Sequence, residues 1–141
     1  MSDFYTPNGW KGEKYEKSKN FSTVEVAKLI RKEIKKKYPD ILVSVRSMYF
    51  SMGSSIDVII KDCGFNPVNP AWNPRNIDMG SNPRYTDKAR QLISELEEIG
   101  NRFRRVDCDG MIDYFDVNFW YHVRFDYGFE QRCIKMLDIA C

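Results

Sequence analysis

Phe115-Asp116-Val117-Asn118-Phe119-Trp120-Tyr121-His122-Val123-Arg124-Phe125-Asp126-Tyr127 decides how this chain is built. Phe115, Val117, Phe119, Tyr121, Val123, Phe125 and Tyr127 recur at every second position. A β-strand sends alternate side chains to opposite faces, so this spacing predicts one long strand with a greasy side. The other side reads Asp116, Asn118, Trp120, His122, Arg124 and Asp126, the composition of a face turned to solvent or to a ligand.

Upstream, a helix is predicted from about Arg84 to Arg104, with Ala89, Leu92, Ile93, Leu96, Ile99 and Phe103 on its apolar side and Gly100 weakening its last turn. Earlier, Ser22-Thr23-Val24-Glu25 has the form of a capping box, in which a hydroxyl and a carboxylate satisfy the free amides of a helix start. A helix over 23–38 follows, with Val26, Ala27, Ile30 and Ile34 on one face and Lys28, Arg31, Lys32, Lys35 and Lys36 on the other. Pro39 ends it. Alternation in 41–49 and again in 55–62, across the turn Ser51-Met52-Gly53-Ser54, predicts an antiparallel hairpin.

From Gly64 to Pro83 the periodicity dissolves, and Pro67, Pro70, Pro74 and Pro83 each follow an asparagine. Such a stretch carrying Phe65, Trp72 and Ile77 reads as an ordered flap lying over the domain. A last short helix near 129–139 closes the core with Ile134 and Leu137. The expected class is α+β: a mostly antiparallel sheet of about three strands with helices packed on one face. Residues 21–141 read as a single domain, preceded by an irregular arm, residues 1–20, whose Phe4, Tyr5, Trp10 and Tyr15 dock onto it.

The 141 residues, 43% hydrophobic, suffice for one core. The 22 Lys and Arg nearly balance 20 Asp and Glu, so only a local patch can steer a charged partner. Cys63, Cys108, Cys133 and Cys141 are irregularly spaced beside a single histidine, which argues for free thiols and against structural zinc. A polar start and the absence of any long apolar run predict a cytoplasmic protein with no membrane contact.

Two stretches resemble a known family: Thr23-Val24-Glu25-Val26-Ala27-Lys28-Leu29-Ile30-Arg31-Lys32, through Tyr38-Pro39 to Ser44-Val45-Arg46-Ser47, and Gly53-Ser54-Ser55-Ile56-Asp57-Val58. They are similar to the small large polyvalent protein-associated domains of phages and conjugative elements. Asp109-Gly110-Met111-Ile112-Asp113 fits the same pattern more weakly. The resemblance implies a mobile-element origin and an accessory role in countering host defence, and lends no catalytic residue.

Three surfaces are candidates for contact. The basic helix face Lys28, Arg31, Lys32, Lys35 and Lys36 suits phosphates or an acidic protein, though such faces are commonly just solvated. The strand face Trp120, His122 and Arg124, beside Arg46 or Met48, suits stacking or hydrogen bonding, unless a helix or the flap covers it. Trp72 and Arg75 of the flap are the third, with a structural cover as the alternative. The acids Asp107, Asp109, Asp113 and Asp116 match no metal-loop spacing, and glycine loops for phosphates or dinucleotides are missing, so neither metal nor cofactor is expected. The expected function is a non-catalytic accessory protein that binds a host protein or a protein–nucleic acid complex, as a counter-defence inhibitor of the anti-CRISPR kind. The alternatives are a nucleic-acid-binding module using the basic helix and a small enzyme with a centre at Asp109, Asp113 and His122.

Overall fold

The computed structural model describes residues 4–76, 82–112 and 114–137. In chain order these form β1 (Trp10–Lys11), α1 (Tyr15–Ser18), α2 (Thr23–Lys37), β2 (Leu42–Phe50), β3 (Gly53–Asp62), α3 (Asp87–Asn101), β4 (Arg105–Asp109), a 3-10 turn at Gly110–Ile112, β5 (Tyr114–Val117), β6 (Trp120–Phe125) and α4 (Tyr127–Met136). Ile77, Asp113, Ile139 and Cys141, named above, lie outside the described residues.

The α+β class holds, but among the described residues there are two three-stranded sheets, ordered β2-β3-β6 and β1-β4-β5. Three of their four strand pairings are antiparallel; β6 runs parallel to β3. A parallel neighbour needs a crossover, and here the flap, α3 and the β4–β5 pair supply it.

The long strand expected over 115–127 is therefore corrected: it breaks at Asn118 into β5 and β6, which belong to different sheets. Asn118 leaves the ladder because its side chain is taken by the turn after α3. Its amide nitrogen donates to the Phe103 carbonyl at 2.9 Å, and its oxygen accepts from the amides of Arg105 at 2.9 Å and Phe119 at 3.1 Å. Phe119 then drops into the core. The alternation survives on β6, where Tyr121, Val123 and Phe125 face inward, but Phe115 is 58% exposed and Tyr127 has passed into α4.

Ser22 caps α2 as its sequence requires, accepting from the Glu25 amide at 3.2 Å and donating to the Glu25 carboxylate at 3.3 Å. Thr86 caps α3 by accepting from the Ala89 amide, so that helix begins three residues later than Arg84. The apolar stripes of the two helices, Val26, Ala27, Ile30 and Ile34 with Ala89, Leu92, Leu96 and Ile99, close over Val45, Ile56, Val58, Ile60 and Phe125. α2 lies along β2 and α3 along β6, so both cover the same face of that sheet.

The arm is more regular than its sequence suggests. Trp10 and Lys11 pair with Val106 and Arg105, and the arm is held by Asp107, a buried carboxylate that accepts from the Tyr5 amide at 2.6 Å, the Thr6 amide at 2.9 Å and the Thr6 hydroxyl at 2.5 Å. Asparagines tie together the described residues of the flap. Asn66, Asn69 and Asn73 each accept from the amide two residues on, across the intervening proline. Buried Asn82 donates to the carbonyls of Asn73 and Asn76.

Gly100 has a use the sequence hides. The Tyr121 ring lies where a β-carbon on residue 100 would stand, 2.1 Å from its nearest carbon, and the Tyr121 hydroxyl donates to the Leu96 carbonyl at 2.8 Å. Gly100→Ala is expected to destabilise the fold by about 3 kcal/mol, because the ring is locked and must be displaced. Urea unfolding checks this; an unchanged midpoint would mean that Tyr121 does not pack against the helix this closely.

Candidate functional site

With α2 and α3 on one face of β2-β3-β6, the sequence periodicity sends every second side chain of its strands the other way. Strand register then sets three rows across that outer face. Met48 stands opposite Ser55, and Ser55 opposite Trp120; Arg46, Asp57 and His122 form the next row; Ser44, Ile59 and Arg124 the third. Arg46, Met48, Trp120, His122 and Arg124 are all exposed. The structure thus brings together Trp120, His122 and Arg124 with Arg46 and Met48 of the hairpin, and among the described residues neither α3 nor the flap covers them.

The face is graded from apolar to polar. At the hairpin end Phe50, Met48 at 62% exposure and Trp120 at 36% present large apolar groups, and Met52 at the turn is almost wholly exposed. Behind them His122 Nδ1 lies 3.3 Å from Asp57 Oδ1, so an acid sits between Arg46 and the histidine. Lys61 is neutralised by Asp126 at 2.9 Å, which leaves Arg46 and Arg124 as the standing cations. Phe50 is the member the sequence reading did not single out. Carrying the alternation of Arg46 and Met48 two residues further would have found it.

The other candidates are placed differently. Lys28, Lys32, Lys35 and Lys36 are exposed on α2, but the Arg31 guanidinium donates to the Val45 carbonyl at 2.7 Å, across the edge of β2. Trp72 is half-buried against the core, with the Arg84 guanidinium 4.8 Å above its ring, and Arg84 pairs with buried Glu130 of α4. Arg75 is exposed nearby. The acids do separate work: Asp107 holds the arm, Asp116 pairs with Arg105 at 3.1 Å, and Asp109 accepts from the Met111 amide. Among the described residues no group of three His, Cys, Asp or Glu side chains is placed to hold a metal ion.

The thiols of Cys63 and Cys133 are buried, and burial pushes both above the ordinary cysteine range, so they are poor nucleophiles. The Tyr85 phenol, half-buried and bonded to Glu130, is pushed up to about 12 and stays protonated.

Residues 21–72 match the family model of large polyvalent protein associated domain 29. The match covers α2, the β2–β3 hairpin and the start of the flap, and agrees with the resemblance read from 23–58, while 109–113 falls outside it. A match to this family suggests a phage or mobile-element associated protein. Two of the three strands that build the exposed face, β2 and β3, lie within the matched residues; β6 with Trp120 lies beyond them. No curated protein and no solved structure matches the chain. No helix among the described residues is long and apolar enough to cross a membrane.

Asp107 gives the attachment of the arm a pH dependence. Burial opposes its charge, but the Thr6 hydroxyl and the amides of Thr6 and Tyr5 outweigh it and hold the carboxyl below the ordinary aspartate range. A depressed folded pKa contributes stability above the unfolded value and loses it as pH falls through the folded one. Asp107→Asn should therefore melt earlier than the parent at neutral pH, and the gap should close as pH drops below about 4. Thermal unfolding followed by circular dichroism across pH reads this, and a gap that stays constant would show that the charge is not what holds the arm.

Proposed function

We propose that the chain is a non-catalytic accessory protein of a phage or mobile element that binds a host protein through the exposed face of β2-β3-β6, and so acts as a counter-defence inhibitor. The observation that carries this reading is the apolar end of that face, where Phe50, Met48 and Trp120 stand exposed beside Arg46 and Arg124. A soluble chain rarely leaves adjoining large apolar groups in water without a contact to make. Trp and Arg on one sheet face are also the residue types that dominate protein interfaces. The match to domain 29 supports the setting.

A second reading, nucleic-acid binding, is favoured by Lys28, Lys32, Lys35 and Lys36, exposed on one helix. It differs in its salt dependence, since each phosphate contact releases counterions. Pull-downs from host lysate, nuclease-treated and run at moderate and high salt, separate the two. The protein reading expects one captured protein that survives nuclease, and about 2 kcal/mol of affinity lost in Trp120→Ala or Met48→Glu with the fold intact. Capture that vanishes with nuclease, or is indifferent to both variants, would overturn it.

A further inference from the structure

We propose that the flank of α2 facing α1 is a second binding site, a groove that takes an acidic peptide segment through one apolar anchor side chain. This goes beyond the sheet-face reading and does not rest on it. Between α1, α2 and Phe103 lies an open cavity of about 460 Å³, well above the volume of one side chain. Its apolar lining is Phe21, Leu29 and Phe103, and Phe21 is exposed although it belongs to no part of the core. Around this lining stand Lys14, Lys17, Lys32 and Lys36 against a single acid, Glu33.

Glu33 is already engaged by Lys14, whereas Lys17, Lys32 and Lys36 have no ion pair among the described residues. Three cations around an apolar pocket favour an occupant that is negative outside and greasy at its centre. The groove also has length. A second cavity of about 340 Å³ shares Glu33 and Lys36 with the first and continues past Lys37 to Ile99 and Arg102. A compact anion would fill one end, whereas an extended segment with acids flanking an aromatic or aliphatic residue fits both.

Two features favour peptide over nucleic acid. Single strands stack on successive rings, yet of the two rings lining the cavity Phe103 is buried with the Lys14 ammonium 5.5 Å from its centre, which leaves only Phe21 with an exposed ring. Glu33 stands where the two cavities join, so a string of phosphates running through both would meet a carboxylate midway.

The test titrates the whole chain with a short fluorescent peptide bearing one tryptophan between aspartates and glutamates, beside the same peptide with alanine for tryptophan and a labelled oligothymidine. The tryptophan peptide is expected to bind, and to lose about ten-fold or more of its affinity in Lys17→Glu/Lys32→Glu and in Phe21→Ala. All of those positions are exposed, and circular dichroism confirms that the variants fold. Trp120→Ala is expected to leave this binding unchanged, so the groove and the sheet face succeed or fail separately. Equal binding of the alanine peptide, tighter binding of the oligothymidine, or no peptide binding by the folded parent would each overturn the proposal.

Discussion

The contact between Tyr121 and Gly100 fixes which side of the central sheet is hidden. Side chains on a strand alternate with a period of two, so a slip of one residue would exchange the faces completely. The Tyr121 ring fills the space that the missing side chain of Gly100 leaves in α3, and its hydroxyl finds the Leu96 carbonyl. No neighbouring residue of β6 could make both contacts. Once Tyr121 points inward, Trp120, His122 and Arg124 must point outward, and register with β3 and β2 aligns them with Ser55, Asp57 and Arg46. The exposed face thus follows from a packing constraint on its opposite side.

Local signals make most elements legible. The Ser22–Glu25 box and the helical spacing of Val26, Ala27, Ile30 and Ile34 place α2 within a residue, and the same logic applied to Thr86 or Asp126, each capping the amide three residues on, would have placed the starts of α3 and α4. The break of the long strand is of another kind. Its cause, Asn118, is bonded to Phe103 and Arg105, residues 15 and 13 positions away, so an intact alternation in sequence conceals a change of sheet. Pairing of the arm with β4 is equally non-local, since Asp107 meets Thr6 across 101 residues.

The candidate face is legible in part for the same reason. Period two names Trp120, His122 and Arg124 as companions, but their arrangement beside Met48 and Phe50 depends on β6 joining β3 in parallel, which no spacing states. The asparagine-proline pairs show the reverse case. Their sequence marks turns, and the structure shows that three of the asparagine side chains close those turns, which leaves Trp72 as cover for the core.

Helix α2 carries three loads at once. Its apolar stripe lies in the core, Arg31 occupies the Val45 carbonyl at the edge of β2, and Lys32 and Lys36 line the groove toward α1. An open strand edge invites pairing with other chains, and a guanidinium seated on one of its carbonyls blunts that tendency. The six basic residues of this helix are therefore not equivalent. Charge reversal across all of them would remove edge protection together with any partner contact, and a resulting loss of binding would be confounded with association through β2. Only substitutions that spare Arg31 separate what the helix does for its own fold from what its lysines do for a partner.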